Sequence, residues 1–219
     1  VRFSILASPR LRWLLRSMDI NACEPQSGHT PLQCAVREGD ADTVRWLLTM
    51  KIDINKRGGA SGAVALDMAS HKGHIEIVEQ LLASPDIEVN KASALRGTTA
   101  LLSAIKEGHT EIVDRLLAHP FVDVNTAMAD GSSPLVMATG NGDIGLVKQL
   151  LAQLFINVNK PTAKGYTALF IASQKGHTEI VGRLLAHPDI DVNKALTTDG
   201  STAVHIASQK GHTEIVDRL

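Results

Sequence analysis

One alanine recurs along most of the chain at a nearly constant interval. Ala35, Ala69, Ala104, Ala138, Ala172 and Ala207 are spaced 34, 35, 34, 34 and 35 residues apart. A fixed period of this length is the signature of a repeat architecture, in which each unit buries its apolar face only by stacking on the next. The period therefore predicts an array of similar units and argues against a fold with one central core.

Each unit has the signals of a first short helix. In the unit that opens at Gly28, Thr30 can cap free backbone N–H groups, and Pro31 fits the first helical position because it lacks an N–H to lose. A glycine stands about eight residues later, where a helix commonly ends in a left-handed residue. These helix-ending positions are Gly39, Gly73, Gly108, Gly142, Gly176 and Gly211.

A second helix follows each of these glycines. In one unit Ile112, Val113, Leu116 and Leu117 fall on one helical face, and Glu111 precedes them. The acidic side chain suits the positive end of the helix dipole. A pair of helices in every unit predicts an all-α chain.

Two stretches carry a family resemblance. Gly28-His29-Thr30-Pro31-Leu32-Gln33-Cys34-Ala35 and Gly200-Ser201-Thr202-Ala203-Val204-His205-Ile206-Ala207 resemble the ankyrin signature T-P-L-H-x-A. The chain is thus identified as a member of the ankyrin-repeat family, although its period slightly exceeds the usual ~33 residues. The resemblance implies an all-α ankyrin-repeat solenoid of stacked helix-turn-helix units with projecting β-hairpin loops.

The units predict one ankyrin-repeat domain over residues 1–219. Full repeats are expected at 28–61, 62–96, 97–130, 131–164 and 165–199, and a truncated repeat at 200–219. Residues 1–27 form an atypical capping unit or a partial repeat, with Leu11, Leu14 and Leu15 in its second-helix pattern. Trp13 and Trp46 occupy matching positions and are expected to pack against neighbouring helices.

Composition narrows the classes of partner. The net charge is −1, from 22 basic and 23 acidic residues, so no overall field attracts nucleic acid or an anionic membrane. Cys23 and Cys34 have neither a metal-ligand nor a disulfide-scaffold spacing, which favours a reducing, cytoplasmic compartment. We expect a monomer without a cofactor, a bound metal or a small-molecule substrate.

The histidines and serines do not form a convincing catalytic site. His74, His109, His177 and His212 recur once per repeat, too widely spread for a metal shell, and resemble the structural Gly-His of the family. Ser173, His177 and Asp189 have the residue types of a hydrolase triad, but nearly the same set recurs in the next repeat. The sequence predicts no enzyme activity in this stretch.

One asparagine in each repeat admits two interpretations. Asn55, Asn90, Asn125, Asn159 and Asn193 can start the connecting loop, because asparagine bonds local backbone and tolerates turn geometry. A leucine stands eight residues before each of them, and the resemblance implies similarity to the sites that asparaginyl hydroxylases modify in ankyrin proteins. Both interpretations stay open at this point.

The resemblance also implies a concave binding face made of the loops and the first helices. Its contact positions follow the loop glycine or precede the helix-ending glycine. The first set is His29, Ala63, Thr98, Ser132, Tyr166 and Ser201; the second is Arg37, Glu38, His71, Lys72, Lys106, Glu107, Gly140, Asn141, Gln174, Lys175, Gln209 and Lys210.

Two features stand out among the contact positions. Tyr166, with the adjacent Phe170, is expected to supply aromatic anchors, because aromatic residues dominate binding hot spots. Lysines 72, 106, 175 and 210 form a mild basic stripe, which favours a partner with some acidic residues. Residues 172–184 and 207–219 differ only at Gly182 and Asp217, so specific binding is expected from the more divergent middle repeats.

These observations predict a scaffold that binds a partner protein on its concave face. Two alternatives remain open from the sequence. One is a non-catalytic regulatory arm of a larger multidomain enzyme. The other is an array that serves as a hydroxylase substrate or a spacer.

Overall fold

A computed structural model describes residues 19–219 of the chain. The predicted helix of Leu11, Leu14 and Leu15, and the packing role of Trp13, lie outside the described residues. The chain divides into two compact units, Val1–Val122 and Asp123–Leu219. The prediction of one domain over 1–219 stays a prediction.

The described part of the first unit contains six helices in three pairs. They are α1 (Pro31–Glu38), α2 (Ala41–Leu48), α3 (Ala65–Lys72), α4 (Ile75–Leu82), α5 (Ala100–Glu107) and α6 (Thr110–Leu117). The first helix of each pair packs on the first helix of the next, so α3 lies against both α1 and α5. The second helices α2, α4 and α6 form a parallel layer in the same order.

The second unit repeats this plan. Its helices are α7 (Pro134–Asn141), α8 (Ile144–Leu151), α9 (Ala168–Lys175), α10 (Thr178–Leu185), α11 (Ala203–Lys210) and α12 (Thr213–Arg218). Helix α9 contacts α7 and α11, and α10 contacts α8 and α12. The predicted all-α repeat fold is confirmed, and no helix among residues 19–219 is both long and apolar enough to cross a bilayer.

The helix ends follow the predicted signals. The hydroxyl groups of Thr30, Thr99, Ser133 and Thr167 each accept a hydrogen bond from the backbone N–H three residues later. Every predicted helix-ending glycine is left-handed, with φ between 73° and 76°. A side chain at these positions would meet backbone strain, which is why glycine recurs there.

The alanine layer forms the centre of each unit. All six recurring alanines are 0% exposed, and they lie in the first helices. The second helices contribute apolar residues such as Ile112, Val113 and Leu116, all buried. A residue with a larger side chain at an alanine position would separate neighbouring first helices.

The connecting loops close like hairpins but contain no strand within residues 19–219. The backbone N–H groups of Ser93, Met128, Thr162 and Leu196 donate to the carbonyls of Thr98, Ser132, Tyr166 and Ser201, respectively. An isolated antiparallel bridge joins Gly58 and Ala63. The projecting loops are therefore short turns, each held by about one backbone bond across its neck.

The recurring asparagines join adjacent repeats. Asn159 Nδ2 donates to the Asp189 carbonyl over 2.6 Å, and its Oδ1 accepts from the Asp191 N–H over 2.9 Å. Asn55 makes the same pair of bonds, to the Asp86 carbonyl and from the Glu88 N–H. We call this arrangement the asparagine clasp. It supports the structural interpretation, and hydroxylation at Asn55, Asn90, Asn125, Asn159 or Asn193 stays a prediction.

Overpacking the alanine layer tests the register of the repeats. We expect Ala138→Leu to lower the free energy of unfolding by ~1–3 kcal/mol, because the alanine has no exposed surface and no room for three more carbons. Urea unfolding followed by circular dichroism measures the change. Unaltered stability would contradict the close approach of the first helices at this position.

The asparagine clasp gives a second stability prediction with an internal control. Asn159→Ala removes two hydrogen bonds between adjacent repeats and should cost ~1–3 kcal/mol, at about 0.5–1.5 kcal/mol for each bond. Asn193 is exposed and its side chain makes no clasp within the described residues, so Asn193→Ala should be close to neutral. Equal losses in urea unfolding would show that the clasp contributes nothing of its own.

Candidate protein-binding groove

The second unit contains an apolar cluster that reaches the surface between its last two repeats. Phe170 of α9, Ile206 of α11 and Leu196 of the loop between the two repeats are buried together, and Tyr166 packs against them. These residues form the floor and one wall of an open cavity of about 460 Å³. We call this cavity the Tyr166 groove.

The tyrosine is held in place by its own loop and by the helix that follows. The Tyr166 N–H lies 3.1 Å from Thr162 Oγ1, and its carbonyl accepts from the Thr162 N–H. Its ring stacks on Phe170 with a centroid separation of 5.2 Å and an interplanar angle of 22°. Phe170 is fixed in turn by the Thr167 cap of α9. The aromatic pair is therefore an ordered surface before any partner binds.

Polar side chains line the rim of the Tyr166 groove. They are Gln174 and Asp199, with Ser201, His205 and Gln209. The backbone N–H of Ser201 donates to Asp199 Oδ1 over 3.0 Å. Hydrogen bonds from the Ser201 backbone and side chain hold the Asp199 pKa below its ordinary value, so the exposed carboxyl group is ionised at neutral pH.

His205 lines the groove and also caps the start of α11. Its Nδ1 accepts from the Thr202 N–H over 3.2 Å in a capping interaction. An accepting Nδ1 carries no proton, so the neutral ring carries its proton on Nε2. The rim of the groove thus contains the Asp199 carboxylate, the His205 imidazole and the amides of Gln174 and Gln209, around an apolar floor.

The loop contact positions differ widely in exposure. Tyr166, Ser132, Ser201 and His29 are partly exposed, whereas Ala63 and Thr98 are buried. Thr98 is 8% exposed, because its N–H and carbonyl both bond Ser93 within the loop. The partner contact predicted at Thr98 stays a prediction, at a position with little exposed surface. Phe170 is 3% exposed and is the floor beneath Tyr166 rather than a second projecting anchor.

The helix-end contact positions remain accessible. Arg37, Gly140 and Gln174 are half-buried, and the others are exposed: Glu38, His71, Lys72, Lys106, Glu107, Asn141, Lys175, Gln209 and Lys210. Lysines of the basic stripe have partners within the chain. Lys175 Nζ donates to the Gly140 carbonyl over 2.7 Å, and Lys106 Nζ lies 3.6 Å from Glu107. The stripe is therefore less available to a partner than the sequence suggests.

The sequence analysis did not predict several residues of the groove. Leu196, Asp199, His205 and Ile206 were not among the predicted contacts. Leu196 carries no distinctive signal, since the corresponding loop positions hold Ser93, Met128 and Thr162 and an apolar residue is found there in another repeat. Elsewhere, Leu154 and Phe155 are 81% and 92% exposed, and Phe155 is the non-glycine residue with positive φ among those described.

The recurring histidines have the expected framework role. His109 Nε2 lies 3.3 Å from the His71 carbonyl, and His212 Nε2 lies 3.3 Å from the Gln174 carbonyl, each in the preceding repeat. Burial lowers the pKa of His74 and of His177. The four rings lie against the helix-ending glycines of the repeats before them.

The structure does not assemble the triad residues into a catalytic arrangement. The Ser173 hydroxyl is buried and has no hydrogen-bond partner among the described residues, so no base activates it. Asp189 is an exposed loop residue. Within residues 19–219, no group of three or more His, Cys, Asp or Glu side chains is placed to hold a metal ion.

Comparisons with known proteins agree with the geometry. A family model described as ankyrin repeats in three copies matches residues 7–93, 66–162 and 141–219. The chain is similar to the crystal structure of EF0377, an ankyrin repeat protein, with 26% identity and a TM-score of 0.76 over 92% of this chain and 97% of that one.

A second solved structure gives the same result. An ankyrin repeat domain from Acinetobacter baumannii AYE, ABAYE2397, is 27% identical with a TM-score of 0.76, over 85% of this chain and 94% of that chain. The matched residues, the capped helix pairs and the left-handed glycines are mutually consistent. This chain belongs to the ankyrin-repeat family.

Proposed function

We propose that the chain is a non-catalytic protein-recognition module whose partner polypeptide docks in the Tyr166 groove. Ankyrin repeats are generally protein-interaction modules, and the chain belongs to that family. The observation that carries the proposal is the stacked Tyr166–Phe170 pair over a buried apolar floor. An ordered aromatic beside a cavity provides contact area with little loss of conformational entropy on binding.

The make-up of the groove supports a protein partner. Binding interfaces combine an apolar centre with a polar rim, and aromatic side chains are enriched at their hot spots. The Tyr166 groove has this order, with Phe170, Leu196 and Ile206 inside and amides and a carboxylate outside. Tyr166 is the single tyrosine of the sequence, and it stands at a loop contact position.

Most residues that line the groove come from the parts of the last two repeats that differ in sequence. Tyr166 and Phe170 correspond to Ser201 and His205 in the next repeat, so the two sides of the groove have different chemistry. Only Gln174 and Gln209 come from the nearly identical stretches 172–184 and 207–219. Specific recognition between these repeats is therefore compatible with their similarity.

The accessible loop and helix-end positions extend the proposed surface within each unit. In the first unit they are His29, Arg37, Glu38, His71, Lys72, Lys106 and Glu107, and in the second Asn141, Lys175 and Lys210 adjoin the groove helices. Their exposure permits contact without disturbing the alanine layer. We assign them supporting contacts around the aromatic anchor, since rim residues contribute less to affinity than buried centres.

Affinity capture with matched variants tests the proposal. Extracts of cells that normally make the protein are passed over the native chain, Tyr166→Ala, Gln209→Trp and the control Phe121→Ala. Phe121 is 77% exposed and lies in the other unit, so its variant removes an exposed aromatic without touching the groove. Gln209→Trp fills the groove from an exposed position and leaves the core intact.

We expect proteins that the native chain and Phe121→Ala both retain and that both groove variants lose. Thermal melts of all four proteins verify that the folds are equally stable. Retention of the same proteins by the two groove variants would contradict the assignment of the binding site.

A further inference from the structure

Resting on the proposed function, we propose that the Tyr166 groove selects an extended partner segment in which a large apolar side chain stands next to a lysine or arginine. The apolar side chain enters over Phe170 and Ile206. The basic residue lies toward the loop that carries Asp199.

The apolar half of this preference follows from the floor of the groove. Phe170 is 3% exposed, and Leu196 and Ile206 are each 8% exposed, so the floor is a continuous apolar surface that remains open from above. The cavity volume of about 460 Å³ accommodates a leucine, methionine or aromatic side chain beside Tyr166. Burying such a side chain removes apolar surface from water, which favours binding.

The preference for a lysine or arginine in the partner follows from the acidic residue on the rim of the groove. Asp199 is the formally charged side chain that lines the groove at neutral pH, and it is exposed to solvent although the Ser201 N–H donates to its Oδ1. The remaining lone pairs face solvent and suit a cationic donor. An acidic partner residue at this position would be repelled.

The lysines lie at the other end of the groove helices. Lys210 ends α11, whereas Asp199 precedes its start, and eight helical residues span about 12 Å. Lys175 is engaged with the Gly140 carbonyl. Asp199 is therefore the charged residue that lines the loop end of the groove, and none of the lysines of the basic stripe lines it.

The amides between the two ends suit a main chain. Gln174 of α9 and Gln209 of α11 occupy corresponding positions on either side of the groove. Each amide offers both a donor and an acceptor, which matches the alternating N–H and C=O groups of an extended peptide. The occupant is thus a polypeptide segment rather than an isolated cation.

Selection from a random-peptide phage library tests the preference. The native chain is the bait, and enriched peptides are synthesised and titrated by fluorescence anisotropy against the native chain, Tyr166→Ala, Asp199→Asn and Asp130→Asn. Asp130 is a matched control because its Oδ1 accepts from the Ser132 N–H over 2.9 Å in the corresponding loop, outside the groove. Asparagine keeps that acceptor and removes only the charge.

We expect enriched peptides that place lysine or arginine within a few residues of a large apolar side chain. Their affinity should be lost in Tyr166→Ala, weakened about 2- to 5-fold in Asp199→Asn, and unchanged in Asp130→Asn, as for an exposed ion pair. Replacing the peptide's basic residue with glutamine should remove the difference between native chain and Asp199→Asn.

Other outcomes separate this inference from the proposed function. The basic-residue preference would be overturned by Tyr166-dependent peptides that carry acidic residues. It would also be overturned by peptides that bind Asp199→Asn as tightly as the native chain. In both cases the groove would still be a binding site. Failure to enrich any Tyr166-dependent peptide would overturn both. A concentration-dependent dimer abolished by Tyr166→Ala would show that a second copy of the chain occupies the groove.

Discussion

The close approach of neighbouring first helices is the constraint on which the rest of each unit depends. A single helix pair cannot bury its apolar face, so every repeat relies on the next one for its core. The recurring alanines are fully buried at these contacts, and no larger side chain fits without moving a helix. The left-handed glycines and the asparagine clasps then fix where each repeat ends and how it joins its neighbour.

The residue three positions after the helix cap makes different contacts in different repeats. In α1 the side chain of Gln33 accepts from the Thr30 N–H and donates to the carbonyls of Lys56 and Ala63, tying loop to helix. The corresponding residue of α9 is Phe170, which instead stacks under Tyr166. In α11 it is His205, which caps its helix at the edge of the groove. The same helix position thus holds a bridging amide in α1, the ring beneath Tyr166 in α9 and a capping imidazole in α11, and the last two line the groove.

The sequence was sufficient for the fold because its signals are local and repeated. The alanine period, the Thr30–Pro31 start and the glycine ends each report one backbone conformation, and their repetition removes ambiguity. The groove was only partly predictable. Tyr166 stands at a variable position and was found, whereas Asp199 and Ile206 join it through the packing of a loop against a neighbouring helix. The burial of Thr98 and Phe170 was not predictable, because it depends on how each loop and helix packs against its neighbours.

Site-specific photo-crosslinking tests the central claim that a polypeptide binds between the last two repeats. A photoreactive phenylalanine analogue placed at Gln209, beside the groove, is compared with the same analogue at the exposed Phe121 of the other unit, in cells that normally make the protein. The account predicts that the analogue at position 209 forms discrete covalent adducts whose partner peptides are identified by mass spectrometry, and that the analogue at position 121 does not form them. Identical adducts from both positions, or adducts at position 121 alone, would contradict it.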